Sequence, residues 1–136
     1  MQIQLMTDGG ADVPQHLIEK LELEIVPLYL HFSDGEYKTG VTLNLNDFHK
    51  KVKDLNEVPQ SAAPSPNDFY EAFKKVPKDR SIMMFSISKE LSSTYQNAVA
   101  AKEMILEEEP ERKIAVINTK TASGAIALLL YDVYLK

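Results

Sequence analysis

Hydroxyl, amide and carboxyl side chains gather where apolar runs of this chain end. Thr7 and Asp8 follow residues 3–6, Ser86 and Ser88 close a run that begins at residue 81, and Asn118 with Thr119 ends another. Ser92, Ser93 and Thr94 stand at the expected start of a long helix, and the loop over residues 58–66 carries Ser61 and Ser65. In open α/β sheets ligands bind outside the carboxyl ends of the strands. Helix starts expected at Pro14, Pro66 and Ser92 add free backbone N–H groups there, and such groups favour an anion. A carboxylate or a phosphate held by hydroxyls and amides is the guest this pattern suits. The same residues have structural uses: a Ser or Thr before a helix is commonly its N-cap, and Asp8 can orient the Gly9-Gly10 turn.

Other chemistries find little support. The three histidines, His16, His31 and His49, do not cluster at a zinc-ligand spacing. There is no Cys, which removes thiolate nucleophiles, thiolate metal sites and disulfides together. No Gly-x-Ser-x-Gly elbow occurs, and Gly9-Gly10 lacks the spacing of a dinucleotide fingerprint or a P-loop. The run from Glu107 to Glu109 reads as a solvated helix tip. The pattern is that of a binding site rather than of an active site, with no metal and no cofactor expected.

The elements that position these residues follow from hydrophobic patterning. Residues 3–7 read as a strand, followed by a helix with Pro14 at its first position and Leu17, Ile18 and Leu21 inward. Residues 24–32 read as one strand, placed at a sheet edge because Pro27 cannot donate a ladder hydrogen bond. Asp34-Gly35 is a hairpin-type turn into residues 36–39, and a short helix near Asn46 turns Phe48 and Val52 inward. Residues 58–66 read as a loop closed by Ser65 as N-cap and Pro66 at the first helical position. Phe69, Ala72, Phe73 and Val76 form the inner face of the helix that follows. Residues 81–87 and 113–117 read as buried parallel strands, residues 92–108 and 121–136 as helices. Strands alternating with helices define an α/β fold with a mainly parallel sheet flanked by helices.

The 136 residues suit one domain, residues 1–136, with a core that hides roughly two-thirds of the surface the unfolded chain exposes. With 15 Lys+Arg against 20 Asp+Glu, the net charge of −5 argues against nucleic acid or a polybasic membrane contact. The most apolar stretch, residues 122–135, is interrupted by Ser123 and Asp132 and is too short to span a bilayer. No signal peptide is read at the N-terminus, so a cytoplasmic location is expected. The apolar last helix, ending without a polar turn, suggests one half of a larger protein.

Four stretches, in order, resemble the N-terminal half of the DegV family of bacterial fatty-acid-binding proteins. Thr7-Asp8-Gly9-Gly10-Ala11-Asp12-Val13-Pro14 is similar to T-D-S-S-A-D-L-P, and Ser61-Ala62-Ala63-Pro64-Ser65-Pro66 to T-S-Q-P-S-P. Ile87-Ser88-Lys89-Glu90-Leu91-Ser92-Ser93-Thr94-Tyr95-Gln96-Asn97-Ala98 resembles I-S-S-x-L-S-G-T-Y-Q-S-A. Ile117-Asn118-Thr119-Lys120-Thr121-Ala122-Ser123-Gly124 is similar to I-D-S-K-x-x-S-x-G. The chain departs from these patterns at Gly9, Gly10, Ala62, Ala63 and Ser93, and has Ser61 where the family has a threonine.

The resemblance implies a long-chain fatty acid with its carboxylate held by hydroxyls, Ser61 and Ser92 being the matching positions. It also implies an ATP-dependent fatty acid kinase as partner, which would make the acyl phosphate, and a second domain not contained in this chain. Half of an acyl-binding tunnel leaves an apolar wall exposed, so self-association is expected. Two alternatives stand beside the carrier: a phosphotransfer-type enzyme domain, which needs a histidine at a strand end, and a non-lipid regulatory or scaffold domain.

Overall fold

Three continuous apolar runs build the centre of the computed structural model, which describes residues 2–136. Strands β1 (Ile3–Asp8), β6 (Ser81–Ser86) and β7 (Ile114–Asn118) lie parallel, and β2 (Glu24–Val26) completes a four-stranded sheet in the order β2-β1-β6-β7. Successive side chains alternate between its faces. Met6, Ile82, Met84 and Ile114 turn to one face and Leu5 and Phe85 to the other, so the central strands are apolar on both.

Helices cover each face. On one, α3 (Pro66–Lys75) and α4 (Thr94–Glu108) bring Phe69, Phe73, Ala98, Ala101 and Ile105 into the core. On the other, α1 (Gln15–Leu21) and α5 (Gly124–Leu135) contribute Leu21, Ile126 and Leu130. This is the α/β fold expected. The Ser65 hydroxyl accepts from Asp68 N–H at 3.1 Å, and the Asp68 carboxylate accepts from Ser65 N–H at 2.8 Å, a closed capping box with Pro66 at N1.

The expected single strand over residues 24–32 is two strands in two sheets. Pro27, which cannot donate to a ladder, falls between them. Beyond it, β3 (Tyr29–Phe32) is the middle of an antiparallel sheet with β4 (Gly35–Lys38) and β5 (Gln60–Ala62). Phe32 pairs with Gly35, so Ser33 and Asp34 form a two-residue hairpin connection and Gly35 belongs to the strand. The segment read as an open loop therefore contains β5, whose Ser61 pairs with Leu30. Below this small sheet runs α2 (Leu45–Leu55), capped by Asn44, with Phe48 and Val52 only half-buried.

Smaller differences are local. Pro14 occupies the N-cap position of α1, one residue outside the helix, and α4 begins at Thr94 rather than Ser92. Leu21 of α1 is buried, while Leu17 and Ile18 are half-buried. The acidic tip of α4 is not merely solvated. Lys74 bridges Glu108 at 2.9 Å and Glu109 at 3.1 Å, and Arg112 reaches Glu109 while capping the end of α3 through the Phe73 and Val76 carbonyls. On α5, Leu128 and Leu135 are 73% and 62% exposed. No helix among the described residues is long and apolar enough to cross a membrane.

Candidate functional site

The strand order turns at β1: its neighbour on one side is β2 and on the other β6. The carboxyl ends of β1 and β6 mark the topological switch point, where ligands of open α/β sheets bind. Side chains at the strand ends here tie the loops together. The Asp8 carboxylate accepts from Gly10 N–H at 2.7 Å and from Ile87 N–H at 2.9 Å. Asn118 accepts from Lys89 N–H at 3.2 Å and from Lys120 N–H at 3.1 Å, linking the loops after β6 and β7.

Most hydroxyls singled out in the sequence are spent on that framework. Thr7 donates to the Phe85 carbonyl at 2.8 Å, Thr119 to the Ser86 carbonyl at 2.7 Å, and Ser86 to the Ile87 carbonyl at 2.9 Å. Ser88 accepts from Glu90 N–H at 3.3 Å. Ser65 serves as the cap of α3. Asp8 does orient the Gly9-Gly10 turn, but its second bond, to Ile87, reaches across the switch point.

Ser61 stands apart from these, and Ser92 is engaged only with Thr94. Ser61 is exposed on β5, and its side chain has no hydrogen-bond partner among the described residues. Ser92, half-buried, accepts from Thr94 N–H at 3.2 Å and shares a hydrogen bond of 2.8 Å with the Thr94 hydroxyl. The N-cap residue of α4, Ser93, makes no side-chain cap, so the first turn of this helix keeps free N–H groups beside Ser92. The Asn97 amide in that turn donates to the Pro64 carbonyl at 2.9 Å, which fastens the segment following Ser61 to the helix following Ser92.

Spacing alone does not assign Asn97, and it places Asn118 at a strand end without this bridging role. Each joins segments about thirty positions apart, and only the motif stretches containing them hint at a role. Backbone strain gathers nearby: Lys120 and Ser123, neither a glycine, have φ of 57° and 62° in the connection from β7 to α5. Such conformations cost about 1–3 kcal/mol and concentrate at functional sites. The Ser123 hydroxyl is bonded to the Asp12 carboxylate, and Ser123 N–H donates to the Gly10 carbonyl at 2.9 Å.

The histidines lie elsewhere. His31 is on β3, with Glu36 at 3.3 Å, while His16 and His49 are exposed on α1 and α2. None ends a strand of the parallel sheet. A separate cleft of about 430 Å³, lined by Met6, Val26, Tyr29, Ala72 and Val76 among others, lies between β2, α3 and the small sheet and includes neither Ser61 nor Ser92.

Fold and topology together define an α/β domain with hydroxyl side chains and backbone amides at its switch point. The chain belongs to the DegV family, whose model matches residues 2–134. It is 30% identical over 132 residues to a fatty acid-binding protein of Thermotoga maritima, covering 94% of this chain and 44% of that protein. A stearic acid-binding protein of Eubacterium ventriosum superposes with a TM-score of 0.90 at 26% identity, over 98% of this chain and 46% of that one. The fatty acid kinase (Fak) B3 protein of Streptococcus pneumoniae, solved loaded with linoleic acid, gives 0.80 at 27% identity, over 97% and 47%. The chain spans about half the length of the curated relatives it matches.

Proposed function

We propose that this domain binds a long-chain fatty acid, with the Ser61 and Ser92 hydroxyls and the free N–H groups at the start of α4 receiving the carboxylate. The observation that carries this reading is the Asn97–Pro64 bond, which draws the Ser61 segment to the N-terminal turn of α4 where Ser92 stands. Relatives and neighbours described as fatty acid-binding support the ligand class. Each buried CH₂ of the acyl chain contributes about 0.8 kcal/mol, so the tail supplies most of the affinity and the hydroxyls fix its orientation.

The likeness to the Fak B3 protein supports a second component of the reading. An ATP-dependent fatty acid kinase acts on the presented carboxylate, and this domain carries the acid without transferring a group itself. Native mass spectrometry of the gently purified chain, followed by organic extraction, tests the ligand class. An adduct that extracts as a fatty acid is expected. A chain that stays free of fatty acid after incubation with stearate contradicts the reading.

A further inference from the structure

We propose that Asp8 is the positioning residue of the carboxylate site: its buried carboxylate holds the loop over residues 87–92 against the β1 turn, so affinity follows its ionisation. The inference rests on the reading that Ser92 receives a carboxylate. Asp8 ends β1 at the switch point and has no exposed surface. One of its oxygens closes the turn on Gly10 N–H and the other crosses to Ile87 N–H, 79 positions away in sequence. Ile87 begins the loop that delivers Ser92.

The arrangement needs an anion. Two N–H groups approach two oxygens, and a carboxamide in the same place would point its NH₂ at one of them. In this chain a Cβ at position 10 would lie 2.8 Å from the Asp8 carboxylate, so a side chain added there would have to displace it. Among the described residues no charged group is paired with this carboxylate. The β1 turn offers only N–H groups, β2 presents Val26 and β6 presents Phe85 and Ser86. Nearby Asp12 is engaged with Ser123. Burial accordingly raises the carboxyl above the usual range, and the N–H bonds from Ile87 and Gly10 oppose it.

Stability and affinity then respond oppositely to pH. The folded chain holds the Asp8 proton more tightly than the unfolded chain does. Its contribution to stability therefore grows as pH falls through the raised folded value toward the ordinary one. The same proton converts an acceptor oxygen to a hydroxyl, which releases one N–H group and loosens the loop.

Stearate affinity measured from pH 8 down to the acid limit of the folded chain, with amide exchange over residues 87–92, tests the proposal on the whole chain. Relative to Asp8→Asn, which carries only the ligand's own titration, the native chain loses more affinity on acidification. At pH 8, Asp8→Asn binds about tenfold more weakly, since a buried donor is left unpaired, and Ile87 exchanges faster. Gly10→Ala, which displaces the carboxylate without altering its charge, weakens binding in the same direction. Parallel pH curves for native and Asp8→Asn chains overturn the proposal. Should Asp8→Asn not fold, Gly10→Ala and the native pH series decide. If the native chain binds no stearate, the ligand reading fails by itself, and exchange over residues 87–92 still decides. Lower protection of these amides in acid, relative to their intrinsic exchange rate at each pH, supports the positioning role, and unchanged protection refutes it.

Discussion

The two proposed anchors stand on unlike foundations. Ser92 follows a loop held to the parallel sheet by Asp8 and Asn118, and the helix it introduces buries Thr94, Ala98, Ala101 and Ile105. Ser61 lies on a three-residue strand of a small sheet whose supporting helix, α2, buries no residue. Few side-chain bonds tie that sheet to the main body: Tyr29 donates to Asp68 at 3.0 Å, and the segment beyond Ser61 receives Asn97. On the proposed reading, a rigid anchor and a loosely held one form a site that keeps its chemistry at one wall while the other yields to admit a long chain. Local opening is easiest where few apolar side chains are buried.

Core truncation should break both walls together. Phe69 is wholly buried beneath the parallel sheet, so Phe69→Ala is expected to cost about 3–5 kcal/mol in denaturant unfolding, with both anchors lost in one transition. Asn97→Ala should separate the walls. Losing that bond costs about 1 kcal/mol, and stearate should bind about fivefold more weakly, while exchange at Ile87 stays unchanged. Phe48 packs edge-on against Phe32 at 6.3 Å and is half-buried, so Phe48→Ala should cost no more than about 1 kcal/mol. Its exchange signature should be confined to β3, β4 and β5. Equal acceleration in β1 and β6 would erase the contrast between the walls.

A third surface bears on the same contrast. Leu128 and Leu135 on α5 expose apolar area that water disfavours, and the chain is expected to associate as its concentration rises. Sedimentation velocity should show that Leu128→Lys with Leu135→Lys lessens this association. A strictly monomeric native chain, indifferent to detergent, would contradict it.

What the sequence disclosed follows from how local each feature is. Strands β1, β6 and β7 were legible as apolar runs because both their faces are buried. The start of α3 was legible because Ser65, Pro66 and Asp68 form a cap within one turn. The division at Pro27 was not, since residues 24–26 and 29–32 are equally strand-like and only tertiary pairing assigns them to different sheets. Strand β5 was hidden because Gln60, Ser61 and Ala62 have little strand preference of their own and are extended by pairing with β3. At the site, the motif stretches marked Ser61 and Ser92, whereas the roles of Asp8, Asn97 and Asn118 depend on hydrogen bonds to distant backbone that spacing does not reveal.

Stearate binding by the Ser61→Ala, Ser92→Ala double variant, compared with each single variant and the native chain, tests the two-walled carboxylate site most directly. The native chain should bind, each single variant should weaken it, and the double variant should lose most of the affinity with its unfolding midpoint unchanged. A double variant that binds stearate as the native chain does would contradict the site.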